Sequence, residues 1–106
     1  RGLGDVYKRQ SLDDVLDAAK YALKYHGRFR MVHITERMAD ILEALRARDI
    51  EPKVLQMIHG RPDKEAKLFL VEGIHGGGKG LSVLPPLIVH KADGSYSDAV
   101  DRLYGR

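Results

Sequence analysis

The chain of 106 residues contains no cysteine. That excludes disulfides and thiolate metal sites, and is compatible with the cytosol. No apolar run approaches the roughly 20 residues that a membrane span requires. The five histidines (His26, His33, His59, His75, His90) lack metal-ligand spacing, and no HExxH or carboxylate–histidine cluster occurs. There is no GxGxxG, no Ser-His-Asp order and no catalytic acid pair. Aromatics number only two Phe and five Tyr. Phe69, the one near the basic turn at Gly60–Asp63, is expected to be buried, which leaves little for base stacking.

Net charge is +3, with 43% hydrophobic residues, the apolar share of a globular protein. The first ten residues, Arg1 to Gln10 (RGLGDVYKRQ), match the translated end of a transposase-type sequencing adapter. They are therefore expected to be non-native, with the native sequence starting at Ser11 as part of a longer protein. Arg1, Lys8 and Arg9 against Asp5 supply two of the three net charges, leaving 15 basic and 14 acidic residues in 11–106. Overall basicity is thus no argument for nucleic acid. Residues 11–20 are acidic (Asp13, Asp14, Asp17). Lys53, Arg61, Lys64, Lys67, Lys79 and Lys91 outnumber Asp63, Glu65 and Glu72 over 53–91.

The periodicity predicts a helix over 11–26, with Leu12, Val15, Leu16, Ala19, Ala22 and Leu23 on one face, Ser11 as N-cap and Gly27 as left-handed stop. Residues 28–34 alternate as a strand, with Phe29, Met31 and His33 on one side and Val32 and Ile34 on the other. Thr35 is expected to cap a second helix. Its apolar stripe is Met38, Ile41, Leu42 and Leu45, and Arg37, Asp40, Glu43 and Arg46 face outward. The helix should end near Arg48-Asp49, with Asp49 left-handed or in a turn. A second strand covers 53–59 after Pro52, and Gly60-Arg61-Pro62-Asp63 is a turn. The third strand covers 65–72, with Leu68–Val71 buried on both faces. Gly73–Gly80 reads as a mobile loop, Leu84–His90 as an extended edge segment and Asp93-Gly94 as a turn. Ser97 would cap a last helix through Leu103. The right-handed crossover makes the first two strands parallel, and the short turn makes the third antiparallel to the second.

Gly73-Ile74-His75-Gly76-Gly77-Gly78-Lys79-Gly80 falls short of a phosphate-binding loop. Gly80 offers no hydroxyl, and Pro85-Pro86 allows no helix to open behind it. A flexible turn with a solvated lysine is the better reading. His33 and His59 fall at carboxyl ends of parallel strands, where open α/β sheets place ligands. Arg61, Lys64 and Lys67 flank the turn on the same rim, which suits phosphate-backbone contact.

Several segments together resemble one family. They are Thr35-Glu36-Arg37-Met38, Ile50-Glu51-Pro52-Lys53, His59–Ala66 (HGRPDKEA) and Leu70-Val71-Glu72-Gly73. The most specific is the tail Gly80–Val89 (GLSVLPPLIV), with Asp93-Gly94-Ser95-Tyr96-Ser97 and Leu103-Tyr104-Gly105. Residues 11–106 are similar to the carboxyl-terminal half of the bacterial tRNA(Val) adenine-N(6)-methyltransferases, in the small-domain methyltransferase superfamily.

The resemblance implies an α/β fold: the carboxyl-terminal part of a Rossmann-like class I methyltransferase sheet. Its order would be helix, strand, helix, strand, antiparallel strand and extended tail. It implies a cytoplasmic enzyme that moves a methyl group from S-adenosylmethionine to the exocyclic amine of an adenine beside the tRNA anticodon, without metal. The family's glycine-rich cofactor turn and Asn-Pro-Pro-Tyr motif would lie upstream of Ser11. No catalytic or cofactor-binding residue is therefore expected in this chain, and it would be inactive alone. Pro85-Pro86 is not that motif, since no Asn precedes and no aromatic follows. The residues left for tRNA contact are His59, Arg61, Lys64 and Lys67. Two turn positions depart from the family: Lys24-Tyr25-His26-Gly27 replaces a Lys-Pro-Gly-Gly turn, and Asp49 stands where Gly is common. The alternatives are a stand-alone RNA-binding or regulatory module without chemistry, and a related protein-glutamine methyltransferase.

Overall fold

The computed structural model describes residues 3–98, with side chains from Leu12 onward. Helix α1 (Leu3–Ala22) leads to β1 (Arg28–Ile34). A single 3-10 turn at Thr35–Arg37 precedes α2 (Met38–Ala47). Then follow β2 (Ile50–His59), β3 (Leu68–His75), β4 (Ser82–Val83) and β5 (Leu87–Ile88). The strand order is β1-β3-β2-β4, with β5 also on β2. Strand β3 is antiparallel to both β1 and β2, so those two run parallel with the reversed strand between them. The expected crossover and hairpin are both present.

The core lies on one face of the sheet. Leu12 and Leu16 of α1, Ile41 and Leu45 of α2, Ile50 and Leu55 of β2, and Phe69 and Val71 of β3 form one buried cluster. Met31 opposes Val71, and His33 opposes Phe69, on the β1 side; Leu55 and Met57 oppose the same two residues on the β2 side. Burying Phe69 and Val71 completely contributes roughly 1.5–3 kcal/mol each. Arg48 ties the helices together: Nε donates to Asp17 at 2.7 Å, Nη2 to Asp13 at 3.3 Å and Nη1 to the Ala44 carbonyl at 3.0 Å.

The opposite face carries Arg28, Arg30, Val32 and Ile34 of β1 against Ile74, Glu72, Leu70 and Leu68 of β3. Val32, Ile34 and Leu68 are exposed there. Glu72 is buried on this face and accepts a charged hydrogen bond from Arg30 Nε. The expected burial of Leu68–Val71 on both faces is therefore corrected. Phe69 and Val71 are covered by helices, and Leu68 and Leu70 point to a face that no described helix covers.

Boundaries shift for identifiable reasons. Strand β2 begins at Ile50, before Pro52, because a register shift between Pro52 and Val54 accommodates the missing N–H. Strand β3 begins at Leu68 rather than residue 65, because Ala66 and Lys67 are drawn toward the end of β1. Thr35 Oγ1 donates to the Ala66 carbonyl at 3.0 Å and Thr35 N to the Lys67 carbonyl at 3.0 Å. Thr35 is thus a cross-strand tie and not a helix cap. Arg37, expected to face outward, is largely covered, with Nε 3.4 Å from Asp40 Oδ2. Strand β3 runs on through Gly73 to His75. A Cβ at Gly73 would lie 2.6 Å from Ile50 Cγ2, so glycine allows close strand approach here.

The segment that follows is tied down. Gly76 N donates to Asp49 O, Gly77 N to Ile74 O, and Lys53 Nζ to Gly78 O at 2.7 Å. Helix α1 begins at Leu3, ahead of the expected Ser11, and ends at Ala22. The left-handed residue after it is His26 (φ 68), not Gly27. Gly27 serves close approach instead, since a Cβ would lie 2.9 Å from Lys24 O. The short helix expected after Ser97 lies largely outside the described residues.

Asp49 takes φ 59, as its turn required. Asp49→Gly should leave stability unchanged or raise it, while Asp49→Val should lower it by about 1–2 kcal/mol, because a β-branched side chain tolerates the left-handed region far less than Asp does. Urea denaturation of both variants checks this. Equal effects would mean that residue 49 is not held in the left-handed region.

Candidate nucleic-acid interface

Reversal of β3 brings four elements to one rim of the sheet: the end of β1, the end of β2, the turn between β2 and β3, and the tail after β5. His59 is the last residue of β2, and its Nδ1 lies 2.7 Å from the Lys64 carbonyl. A carbonyl only accepts, so Nδ1 is the protonated nitrogen, and the imidazole clamps the turn that carries Arg61 and Lys64. The turn closes on itself through Lys64 N to Arg61 O at 3.2 Å. Arg61 and Lys64 are exposed, and neither forms an ion pair among the described residues. Lys67 differs. Its Nζ donates to Glu65 at 2.7 Å, a bond that lowers the Glu65 pKa and raises that of Lys67. Its charge is locally offset.

His33 is not part of this group. It opposes Phe69, as Met57 does from the other side, and so stands two strand spacings, about 10 Å, from the β2 strand. Its Nδ1 is buried without a hydrogen-bond partner. The rim therefore assembles His59, Arg61 and Lys64, keeps Lys67 as a neighbour paired with Glu65 and leaves His33 on β1, opposite Phe69.

The tail adds what periodicity could not reveal. Leu84 N donates to Leu55 O, Val89 N to His59 O and His90 N to Gly60 O. Through the parallel pairs Val54–Ser82 and Ile58–Leu87, the proline-containing segment follows β2 to the rim. There it reverses at Asp93-Gly94, where Gly94 has φ +91, and Tyr96 bridges back to His90. An aromatic pair thus stands beside Arg61, in a region where the sequence offered only the buried Phe69. The signal in the sequence was the Asp93-Gly94 turn, which folds Tyr96 back over the Leu87–His90 segment.

Among the described residues no group of three or more His, Asp or Glu is arranged to hold a metal ion. No described helix is long and apolar enough to cross a membrane. The glycine-rich segment is no phosphate cradle: Gly73–His75 belong to β3, the loop is closed by Lys53 on Gly78, and β4 follows where a helix would be needed.

Among solved structures, the fold matches a predicted O-methyltransferase, protein Atu636 from Agrobacterium tumefaciens, with a TM-score of 0.79 at 24% sequence identity. The match covers 89% of this chain and 45% of that one, so the chain spans less than half the length of the protein it matches. No family model and no curated protein matches the chain. At this identity the shared property is the fold: the α/β, Rossmann-like arrangement of part of a methyltransferase sheet, with its reversed strand between two parallel ones.

Ser95 donates to Asp93 Oδ1 through its hydroxyl at 2.7 Å and its amide at 2.9 Å, and these bonds hold the Asp93 carboxyl below the usual aspartate range. A pKa lowered by folding means that the turn gains order above the unfolded value of about 3.9 and loses it as pH falls through the lower folded value. An NMR titration of the Ser95 amide should give a midpoint below that of a free aspartate. A midpoint at the free value would mean that the turn is open in solution.

Proposed function

We propose that this chain forms the carboxyl-terminal part of an S-adenosylmethionine-dependent methyltransferase that modifies the exocyclic amine of an adenine beside the anticodon of a tRNA. The observation that carries methyl transfer is the fold shared with the Agrobacterium protein, in which β3 lies reversed between β1 and β2. The adenine substrate rests on the resemblance in the tail 80–89 and in 59–66, and on a rim where Arg61 and Lys64 form no ion pair among the described residues.

S-adenosylmethionine supplies an electrophilic methyl group on sulfur. The described residues do not fit this cofactor. Their only glycine-rich segment is part strand and part closed loop, and no helix N-terminus follows it. On this reading the cofactor and catalytic residues belong to other parts of the protein and not to this chain. Its work is binding and orientation. An adenine amine is a weak nucleophile, and in-line transfer depends on placing it correctly, which is where rigid contacts to the RNA lower the barrier. His59 fixes the turn, and the turn sets Arg61 and Lys64 at the strand ends, facing the side where α/β sheets place their ligands.

The test is a methyl-transfer assay on the intact protein that contains this chain, with labelled S-adenosylmethionine and tRNA transcripts. Label should appear as N(6)-methyladenine, and replacing the target adenine by guanine should abolish it. Label on protein glutamine, or on no RNA, would overturn the proposal.

The cations make a separate prediction. Arg61→Ala with Lys64→Ala should weaken tRNA binding about tenfold or more and flatten its salt dependence, because fewer counterions are released. Lys67→Ala should cost less, because Glu65 already offsets that charge. Filter-binding titrations at several salt concentrations check both statements. An unchanged slope in the double variant would make the turn ordinary solvated surface.

A further inference from the structure

The rim's charge is a weak hold by itself. Asp63 lies in the same turn as Arg61 and Lys64, so the turn carries a net charge of only +1. Beside it stands a group of a different kind. His90 and Tyr96 are stacked, with ring centroids 4.9 Å apart and an interplanar angle of 23°.

The stack is fixed from several directions. His90 N is bonded to Gly60 O at 2.8 Å, and His90 Nδ1 lies 3.1 Å from the Gly94 carbonyl, which makes that nitrogen the donor. The turn beneath is closed by Gly94 N to Lys91 O at 2.9 Å and Lys91 N to Ser95 O at 2.7 Å. Ser97 N reaches Val89 O at 2.9 Å and anchors the far side of Tyr96. Although His90 covers one face of its ring, Tyr96 remains 48% exposed. Arg61 sits against the same turn, since a Cβ on Gly94 would lie 3.8 Å from Arg61 Nη2.

We infer that the Tyr96–His90 stack is a platform for one unpaired nucleobase of a single-stranded RNA segment, with Arg61 and Lys64 on the adjoining phosphates. The inference rests on the RNA reading above and deepens it. An aromatic face accepts any base, and stacking on Tyr and His is a common way in which unpaired RNA is held. Because the ring is fixed before binding, little side-chain freedom is lost when a base lands on it. Asp93 keeps its negative charge, which the Ser95 hydroxyl and amide stabilise, so the phosphates are placed on the Arg61–Lys64 side of the turn.

The experiment titrates the full chain into a short single-stranded oligoribonucleotide carrying one 2-aminopurine, and in parallel into the tRNA. Saturable quenching of the 2-aminopurine is expected. Tyr96→Phe should retain it, and Tyr96→Leu should lose it and bind the oligonucleotide about tenfold more weakly. A second measurement needs no variant: photo-crosslinking of the same oligonucleotide carrying 5-iodouridine should map to Tyr96.

If Arg61→Ala with Lys64→Ala weakens binding while Tyr96→Leu leaves both binding and quenching intact, the platform is overturned and the RNA reading stands. Crosslinks that map only elsewhere overturn it in the same way, as does binding of tRNA without binding of the single-stranded probe. If neither RNA binds the chain, the platform is overturned, and the RNA reading falls with it only when the intact protein also fails to bind tRNA.

Discussion

The reversed position of β3 is the constraint from which the other features follow. It takes hydrogen bonds from β1 on one edge and β2 on the other, and it sends Phe69 and Val71 into the buried cluster of the described residues. Both helices settle on that cluster. An inserted antiparallel strand also forces a tight connection from β2, since the chain must turn back at once. That connection is the Gly60–Lys67 segment, so the basic turn and its place on the rim are products of the sheet's topology. His59 and Thr35 fasten the segment at its two sides, one to Lys64 and the other to Ala66 and Lys67.

The sheet is covered unequally. The described helices lie on one face, and on the other Val32, Ile34 and Leu68 remain exposed around the buried Glu72, which the exposed Arg30 partners. Rossmann-like sheets carry helices on both faces, and the matched Agrobacterium protein is more than twice as long as the aligned portion. An apolar face with one well-partnered carboxylate at its centre is the surface that a second helical layer would bury. Glu72 would remain satisfied there, because Arg30 is on the adjacent strand and not on the covering layer.

Much of this fold is legible in the sequence. Strand β1 has the bounds that alternation over 28–34 gives it, and the stripe Met38, Ile41, Leu42 and Leu45 does pack against the core. The parallel pair, the hairpin and Asp49 as a left-handed residue follow from turn chemistry and loop length. What the sequence does not disclose are distances between segments far apart in the chain. Thr35 looks like a cap because the residue able to claim its hydroxyl, Ala66, is 31 positions away. Gly73 looks like the start of a loop because its actual reason, the Ile50 side chain, lies on another strand. Gly27 looks like the left-handed stop, although the backbone places the left-handed turn one residue earlier, at His26. At the rim, Arg61, Lys64 and His59 are neighbours in sequence, whereas Tyr96 and His90 join them only because the tail follows β2 and folds back.

Strand β1 has one partnered edge among the described residues, and this gives its backbone two populations of amides. In an antiparallel pair, successive N–H groups point to opposite sides. Those directed at β3 are locked into the ladder and exchange with solvent only when the sheet opens. The alternate ones point away from β3 and exchange as readily as those of an open strand. A strand of this kind reports on its own surroundings. The protection pattern has a period of two while the outer edge is bare, and becomes uniform once another strand lies alongside it, so the state of that edge can be read in deuterium without a ligand, a label or an assay.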